Sequence, residues 1–337
     1  MFRFPAEWEP QDGIQFTFPH ADSDWNSMLL HARETFRRCI NAILPFEKVI
    51  VATRNVEETL AFLGDEHPSN LIMYAVDSND TWARDHGGIT LVSGGQNRVL
   101  DFTFNGWGNK FEAKKDNAIT CRLDKAGAFA APVVPIPFVL EGGSIETDGL
   151  GTLLSTSRCL LAPSRNPGYN REEIEEKLRQ YLFVDRILWL NHGHLAGDDT
   201  DAHIDTLVRF CNPQTLAFMR CTNSLDIHYE SFRNMEEELK DFRDAFGKPY
   251  NLVPLPWPDA CYGADGHRLP ATYANFLIIN EAVILPVYGV AQDEEAIDVL
   301  CGLFPERKVI PVNCLTLIEQ HGSLHCITMH FPKGTLN

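Results

Sequence analysis

The sequence lacks the features that mark several classes of protein. It has no CxxC pair, and its nine cysteines form no even framework along 337 residues, which argues against a secreted disulfide scaffold and a structural zinc site. No apolar run approaches the length of a membrane-spanning helix; residues 131–140, among the most apolar, are strand-sized. The first nine residues carry two acids and no apolar stretch, so we expect no signal peptide. These absences favour a cytoplasmic protein with reduced thiols.

Positive charge is also scarce. The chain has 29 lysines and arginines against 46 aspartates and glutamates, a net charge of −17. This balance disfavours nucleic acid or an anionic membrane surface as a partner. It suits a cationic ligand, but acidity also serves solubility, and charge alone does not decide between the two. The hydrophobic fraction of 44% is enough for a sizeable core.

Five times along the chain, a strand-like apolar run is followed by a helical pattern and a second strand-like run. The paired runs are 49–53 with 71–76, 99–104 with 133–138, 159–163 with 187–190, 215–219 with 251–255, and 283–287 with 309–312. The helical patterns between them span 56–63, 117–123, 171–182, 235–246 and 294–304. This alternation predicts an α/β fold with parallel pairing inside each unit.

Alternation alone is equally typical of an open, doubly wound sheet. The sequence, however, has no glycine-rich dinucleotide fingerprint, and five similar units favour a closed, pseudo-fivefold ring. We expect residues 1–337 to form a single domain. In such a ring, the loops after the second strands converge on the axis. Polar clusters occupy four of these loops, at residues 79–88, 141–144, 198–205 and 321–326.

Residues 200–205 show period-two alternation. If this segment is extended, Asp201, His203 and Asp205 share one face. A histidine so flanked is a candidate proton carrier, with carboxylates that tune its pKa and bind a cation. The alternative is a hydrogen-bonded structural histidine at a strand edge.

Residues 80–88 place two acids, a tryptophan and an arginine ahead of a glycine pair. The aromatic face of Trp82 and the charge of Asp85 suit a cationic ligand with an aliphatic stem. A solvated turn carrying a core tryptophan is the alternative.

Glu141 and Cys326 complete the set of candidate residues. Glu141 ends an apolar run before two glycines, where it could orient a histidine or simply be a solvated acid. Cys326 lies in a strand-like segment, where a buried thiol is usually inert. A thiol that faces His203 across the axis, with a cationic substrate between them, would have its thiolate form favoured.

Together with further motifs, these clusters make the chain resemble the agmatine deiminase and bacterial (Porphyromonas-type) peptidylarginine deiminase family of guanidine-modifying enzymes. The resemblance covers essentially the whole chain. Its motifs are PAEWEP at 5–10, FPH at 18–20, NDTWARD at 79–85, NGWG at 105–108, LEGGS at 140–144, DAHID at 201–205 and HCIT at 325–328.

The resemblance implies a five-bladed, pseudo-symmetric α/β propeller of the pentein type. It implies that Cys326 is the nucleophile and that His203 is the general acid and base, supported by Glu141. Asp85 and Asp205 would hold the guanidinium group. The thiolate would attack the guanidinium carbon, ammonia would leave, and water would release a ureido product from a covalent thiouronium, without metal or cofactor.

The family pattern also assigns the far end of the substrate. Trp82 would pack against the alkyl chain, and Asp199 would meet a distal ammonium group. Agmatine-specific members tend to carry glutamate where Asp199 stands and glycine where Ala202 stands, and proline is common at the position of Gly88. These departures concern the shape of the pocket rather than the catalytic set.

The expected reaction is conversion of agmatine to N-carbamoylputrescine, with arginine-containing peptides as the alternative substrate. A manganese ureohydrolase is a rival, since residues 201–205 fit its DAHxD ligand pattern, but its companion motifs are missing. A non-catalytic binding protein and an amidinotransferase are further alternatives. The partner is expected to be a small guanidinium compound, and the resemblance suggests a homo-oligomer.

Overall fold

A computed structural model describes residues 1–64 and 68–337. The strands are β1 (Gln11–Thr17), β2 (Lys48–Thr53), β3 (Leu71–Ala75), β4 (Ile89–Ser93), β5 (Gln96–Thr103), β6 (Val133–Val139), β7 (Ile145–Thr147), β8 (Thr152–Thr156), β9 (Arg186–Leu190), β10 (Val208–Asn212), β11 (Thr215–Met219), β12 (Asn251–Leu255), β13 (Leu277–Ile279), β14 (Ala282–Val287), β15 (Lys308–Asn313) and β16 (Met329–Pro332).

The helices are α1 (Leu29–Ile43), α2 (Val56–Leu63), α3 (Ala83–His86), α4 (Gly106–Asn109), α5 (Ile119–Lys125), α6 (Ser157–Leu160), α7 (Arg171–Leu182), α8 (Tyr229–Asp241), α9 (Asp293–Leu303) and α10 (Leu315–Ile318). Short 3₁₀ turns occur at Asn26–Met28, Asp116–Ala118, Gly142–Ser144 and Ile204–Thr206. No helix in the described residues is both long and apolar enough to cross a membrane.

The strands form five small sheets with one repeated pattern. Their orders are β16-β1-β2-β3, β4-β5-β6, β7-β8-β9, β10-β11-β12 and β13-β14-β15. In each sheet an antiparallel pair is followed by a parallel pair. The parallel partners are joined through α2, α5, α7, α8 and α9 in turn, as parallel pairing requires a crossover connection. The predicted α/β class and the five strand–helix–strand units are confirmed.

The central strands read as apolar runs because both of their faces are covered. In β14, Ala282–Val287, the first five residues are buried. The apolar side of α9 packs on β14 and β15 through residues that include Ala296 and Leu300. A strand covered on both faces loses the alternating pattern of a half-exposed strand, which explains why these runs were visible in the sequence.

Helix α7 shows why the predicted helices begin where they do. The Asn170 side chain accepts a hydrogen bond from the Glu173 N–H at 3.0 Å, and the Glu173 carboxylate accepts one from the Asn170 N–H at 2.8 Å. This reciprocal capping box satisfies two amide donors that a helix start leaves unpaired. Ile174, Leu178 and Leu182 form the buried face.

Three local expectations were wrong. The first strand of the third unit was predicted at 159–163, but it is β8, because Thr156 caps a short helix that contains Cys159. The fourth helix begins at Tyr229 and ends at Asp241 rather than spanning 235–246. Cys326 lies in a turn ahead of β16, not in a strand.

The sequence analysis also missed the antiparallel strand of each sheet. The last strand, β16, pairs with the first, β1, with Ile14 opposite His330 and Gln15 opposite Met329. The two ends of the fold therefore share one sheet.

One glycine departure from the family pattern yields a stability prediction. A Cβ atom built at Gly88 would lie 2.3 Å from Val99 Cγ1 and 3.0 Å from Thr120 Cγ2. Val99 has a stiff, branched side chain, so Gly88→Ala should lower the free energy of unfolding by about 1–3 kcal/mol through overpacking. Urea denaturation measures this change.

Gly302→Ala is the matched control. Gly302 is exposed within α9 and has open space at its Cβ position, so the same substitution should be neutral or stabilising by up to about 1 kcal/mol. Equal unfolding midpoints for the two variants would contradict the packing argument.

Candidate active site

The polar clusters predicted to converge do lie close together. The candidate residues follow the last strand of one sheet and precede the first strand of the next. Asp85 follows β3, Glu141 follows β6, His203 and Asp205 follow β9, and Cys326 follows β15. The repeated topology thus brings residues from distant parts of the sequence to one place.

His203 lies between two carboxylates. Its Nδ1 is 3.6 Å from Asp85 Oδ1, and its Nε2 is 3.5 Å from Glu141 Oε2. Neither ring nitrogen has a hydrogen-bond partner among the described residues. Burial opposes the charged imidazolium, but the negative charge of Asp85, with contributions from Cys159 and Glu141, outweighs it and raises the pKa of His203 well above its usual value. The imidazole is therefore held in its protonated form.

Glu141 is kept ionised by an arginine that sequence analysis did not single out. The Nε of Arg165 donates to Glu141 Oε1 and Oε2 at 3.0 and 2.9 Å, and both side chains are fully buried. Burial alone would raise the pKa of Glu141, yet His203 and Arg165 lower it below its usual value. Glu141 is thus a fixed negative charge beside the imidazole.

Asp85 is held by two neutral donors. The Trp107 indole donates to Oδ2 at 2.9 Å and the Gly143 N–H donates to Oδ1 at 3.1 Å. Burial, with Asp205 and Glu141 nearby, raises the pKa of Asp85 to about 6, although His203 opposes this. A Cβ atom at Gly143 would lie 2.7 Å from His203 Nδ1 and 2.8 Å from Asp85 Oδ1, so only glycine leaves room here.

Asp205 has one bound and one free carboxylate oxygen. The His325 Nδ1 lies 2.7 Å from Asp205 Oδ2, whereas Oδ1 is buried without a hydrogen-bond partner in the described part of the chain. Burial would raise the pKa of Asp205, but the hydrogen bond and charge of His325 lower it. A buried, ionised carboxylate with an unused oxygen is a ready acceptor for a cationic donor.

Cys326 lies next to Asp205 and is bound by Asn275. Its Sγ is 4.0 Å from Asp205 Oδ2 and donates to Asn275 Oδ1 at 3.4 Å, and its N–H donates to the same oxygen at 3.3 Å. Burial and the charges of Asp205 and Asp85 raise the pKa of the thiol well above its usual value. The thiol is therefore neutral.

A pocket opens onto Cys326 and Asp85, whereas His203, Glu141 and Asp205 lie behind its lining. Its lining includes Cys326 and Asp85, the predicted substrate residues Trp82 and Asp199, and also Asp24, Asp80, Trp107, Phe111, Thr200, Gln320, His321 and Gly322. The Trp82 indole donates to Asp80 Oδ2 at 3.0 Å. Burial and the charge of Asp24 raise the pKa of Asp80 to about 7. Among the described residues that line the pocket there is no lysine or arginine.

The segment 200–205 is not the extended strand that its alternation predicted. Asp201 and Ala202 have φ angles of 69° and 65°, so the chain turns there and enters a 3₁₀ turn at Ile204–Thr206. Asp201 consequently leaves the face of His203 and pairs with Arg165 at 2.7 Å and Lys110 at 2.9 Å. The left-handed backbone at Ala202 is one that glycine adopts without strain, in keeping with the glycine that the family resemblance led us to expect at this position.

One group of side chains has the composition of a metal site. The ligand atoms of Glu141, Cys159 and His203 lie within 4.8 Å of one another, and all three residues are buried. The Arg165 guanidinium, however, already occupies both oxygens of Glu141. A divalent cation would have to sit beside this fixed positive charge, so the set does not suit a metal ion.

Several residues of the site were missed from the sequence. Asn275 precedes β13 in the fourth unit, at the place where the other units carry their polar residues, and the repeat could have found it. Trp107 belongs to a quoted motif but had no role assigned. No local signal marked Arg165 or His325, because their roles depend on contacts across the fold.

Comparisons with known proteins identify related sequences and structures. The sequence profile of the Porphyromonas-type peptidyl-arginine deiminase family matches residues 3–332. A Vibrio parahaemolyticus protein provisionally named an agmatine deiminase is 35% identical over 355 residues, which cover 98% of this chain and 97% of that protein.

Two solved structures are close to this one throughout. A Porphyromonas gingivalis protein provisionally named an arginine deiminase is 48% identical, with a TM-score of 0.96 and 100% of both chains covered. The agmatine deiminase of C. jejuni, as a cysteine-to-serine variant with substrate bound, is 37% identical, with a TM-score of 0.93 and coverage of 99% of this chain and 97% of that one. Because the match spans nearly the whole chain, this protein belongs to the Porphyromonas-type peptidyl-arginine deiminase family.

Proposed function

We propose that this protein is a deiminase that hydrolyses the guanidinium group of agmatine to a ureido group, giving N-carbamoylputrescine and ammonia. The observation that carries the proposal is that Cys326 and Asp85 line one acidic pocket, with His203 directly behind Asp85 and Asp205 beside Cys326. The relatives named agmatine deiminase support the same choice.

Asp85 and Asp205 are the proposed clamp for the guanidinium group. A planar cation offers several N–H donors, and carboxylates accept them in pairs with defined geometry. Asp205 has a free oxygen for this purpose, and Asp85 has lone pairs beyond the bonds from Trp107 and Gly143. Holding the cation also fixes its carbon relative to the Cys326 sulfur.

Substrate binding is the proposed trigger for the nucleophile. The charges of Asp205 and Asp85 contribute to the raised pKa of the Cys326 thiol. A guanidinium group between these carboxylates offsets their charge, so binding favours loss of the thiol proton. The thiolate then forms a C–S bond to the guanidinium carbon and gives a neutral tetrahedral adduct.

His203 is the proposed proton carrier in both halves of the reaction. Its cation donates a proton to one amino group of the adduct, the C–N bond breaks, and ammonia leaves a thiouronium cation. The neutral imidazole then takes a proton from water, whose oxygen bonds to the same carbon. The C–S bond then breaks and the hydroxyl proton passes to the departing sulfur, which releases the neutral ureido product and restores the Cys326 thiol. Glu141 stabilises the imidazolium throughout.

The far end of the pocket favours an amine rather than a carboxylate. Asp24, Asp80 and Asp199 line the pocket. The ammonium group of Lys110 is already bound by the Asp199 carbonyl oxygen at 2.5 Å and by the Asp201 carboxylate. The ammonium of agmatine meets negative charge there, whereas the α-carboxylate of free arginine would be repelled. Trp82 offers an aromatic face for the chain of methylene groups.

We further propose that the five sheets are the blades of a five-bladed, pseudo-symmetric α/β propeller formed by one domain, residues 1–337. The antiparallel-then-parallel strand order that the five sheets share, with one additional strand in the first, and the equivalent positions of the polar residues support this arrangement. Pairing of β1 with β16 supports one continuous domain. A cytoplasmic location, a homo-oligomer, the absence of a nucleic-acid partner and a reaction without metal or cofactor remain predictions.

The manganese ureohydrolase alternative is disfavoured by the position of Asp201. The DAHxD pattern needs this carboxylate beside His203, but Asp201 is bound to Arg165 and Lys110. The alternative of a non-catalytic binding protein is disfavoured because binding a cation requires neither the Cys326 thiol nor the His203 imidazole.

A substrate comparison tests the proposed function. Agmatine, free arginine and an arginine-containing peptide are offered separately, and ammonia, urea and the carbon product are measured, with and without EDTA. We expect ammonia and N-carbamoylputrescine from agmatine in both conditions. Release of urea, loss of activity with EDTA, or a preference for the peptide would each overturn a stated part of the proposal.

The nucleophile is tested by Cys326→Ser. Serine is a far poorer nucleophile at neutral pH, so turnover of agmatine should fall by at least about a thousandfold while calorimetric binding persists. Cys221→Ser is the matched control, because this buried thiol donates to the Asn223 carbonyl away from the pocket and should retain normal turnover. Normal turnover by Cys326→Ser would remove the nucleophile assignment.

Asp205→Asn tests the electrostatic control of the thiol. Removing this charge lowers the pKa of Cys326, so the thiolate fraction at a fixed pH rises, by about tenfold for each unit of pKa. Iodoacetamide should therefore label Cys326 faster in this variant, although agmatine turnover is lost. Mass spectrometry of the Cys326 peptide gives the rate. Exposed Asp124→Asn serves as the control, and slower labelling of Asp205→Asn than of this control would refute the argument.

A further inference from the structure

A chain of buried charges continues from Asp205 away from the substrate pocket. The two ring nitrogens of His325 lie at 2.7 Å from Asp205 Oδ2 and at 2.7 Å from Glu7 Oε2. Asp205 and His325 are almost fully buried, and Glu7 is 8% exposed. Glu7 is thus far from the site in sequence but two contacts away from the proposed clamp.

The geometry restricts where the protons are. A carboxylate only accepts hydrogen bonds, whereas a neutral imidazole has one donor and one acceptor nitrogen. The pKa values of Glu7 and Asp205 are both lowered, so both acids are ionised acceptors, and each ring nitrogen at hydrogen-bond distance from them must carry an N–H group. His325 donates one N–H to Asp205 and one to Glu7, and the two carboxylates share its single positive charge.

Glu7 is itself fixed from the opposite side. Its Oε1 accepts from Arg209 Nη2 at 2.9 Å and from the Ile278 N–H at 2.8 Å. Arg209 is fully buried and also donates to the carbonyls of Ala274 and Phe276, which flank the Asn275 that binds Cys326. The anchoring of Glu7 is therefore shared with the loop that holds the nucleophile.

We propose that His325, held in place by Glu7, is a positioning residue that keeps Asp205 ionised and oriented so that its free oxygen can bind the guanidinium group. This inference rests on the proposed function, since it assigns Asp205 to the substrate cation. His325 touches no substrate group; it acts through Asp205, and it sets the position of the adjacent Cys326 backbone.

Other charged groups face this chain and set its electrostatic surroundings. They are Arg84 and Asp85 on α3, Glu146 on β7, His203, Arg209 on β10 and His330 on β16. Arg84 lies 3.6 Å from Glu7 Oε2 and His330 lies 3.7 Å from it. Burial would raise the pKa of Asp205, and His325 is the largest factor that lowers it, so loss of the imidazolium should raise that pKa.

The test separates binding from turnover. Wild-type turnover of agmatine is measured first, and its absence would refute the proposed function rather than this inference. Agmatine binding is then measured by calorimetry across pH 5–9 in the Cys326→Ser protein and in the same protein with His325→Asn added. Asparagine can still donate to Asp205 but carries no charge and does not reach Glu7.

We expect His325→Asn to weaken agmatine binding by at least about tenfold near pH 6, with a smaller loss at pH 9. A higher pKa leaves Asp205 protonated, and unable to bind the cation, up to a higher pH. The pH below which agmatine affinity falls therefore rises in this variant. Glu7→Gln should shift the pH dependence of agmatine binding in the same direction but by less, because the glutamine amide oxygen still accepts a hydrogen bond from His325 Nε2. This second variant carries the test if His325→Asn does not fold.

His330→Asn is the matched control. His330 approaches Glu7 and accepts from Arg84 at 3.0 Å, but it has no contact with Asp205, so the pH dependence of binding should not move. The inference is overturned if wild-type protein turns over agmatine while His325→Asn and Glu7→Gln bind it with the parent affinity at every pH. It is equally overturned if affinity falls by the same factor at all pH values, which a merely structural role would give.

Discussion

The constraint on which this site depends is the burial of negative charge. Asp85 and Glu141 lie 3.6 and 3.5 Å from His203, and Asp205 lies 4.0 Å from Cys326, all almost without solvent. A buried carboxylate remains ionised only if neighbouring charges or donors compensate for lost hydration. Each acid has its own compensation here: Arg165 for Glu141, His325 for Asp205, and the Trp107 indole, the Gly143 amide and His203 for Asp85. These partners lower the pKa of Glu141 and of Asp205 but leave that of Asp85 raised, and the roles proposed for the three acids follow from this difference.

Glu141 and Asp205 have pKa values below the usual range, whereas that of Asp85 is raised to about 6. Asp85 is the only one of the three without a fixed cationic partner other than the imidazole of His203. A substrate cation would supply the missing charge. The same uncompensated negative charge, together with burial, keeps Cys326 protonated. A cationic ligand would therefore complete the charge balance of the site. Under the proposed mechanism, this arrangement keeps the Cys326 sulfur unreactive until a cation is bound.

The sequence allowed much of the fold to be predicted, for a physical reason. The central strands are covered on both faces and therefore stand out as apolar runs, and the crossover helices carry their own caps, as Asn170 and Glu173 do for α7. The short antiparallel strands were not visible: β7 and β13 have three residues each, too few to show a period. The turn at Asp201 and Ala202 was misread because alternation in the sequence cannot reveal left-handed backbone angles.

The same distinction applies to the site. The site residues that follow the last strand of each sheet were predictable from the repeat. Asn275 occupies such a position and could have been predicted in the same way. Partners such as Arg165 and Glu7 were not, because they are specified only by what they touch. Glu7 lies in a motif that the family resemblance used, but nothing in its neighbourhood along the chain indicated contact with a histidine more than three hundred positions away.

The shared sheet of β1 and β16 has a consequence for biosynthesis. A ribosome releases β1, β2 and β3 long before β16, so the first sheet must wait with an open edge while four further sheets are made. Such an edge is prone to pairing with other chains. Cys326 directly precedes the strand that closes it, so a nascent chain carries the unprotected edge without yet carrying the reactive sulfur. Completion of the first sheet and the appearance of Cys326, the proposed nucleophile, are therefore one event in the maturation of this protein.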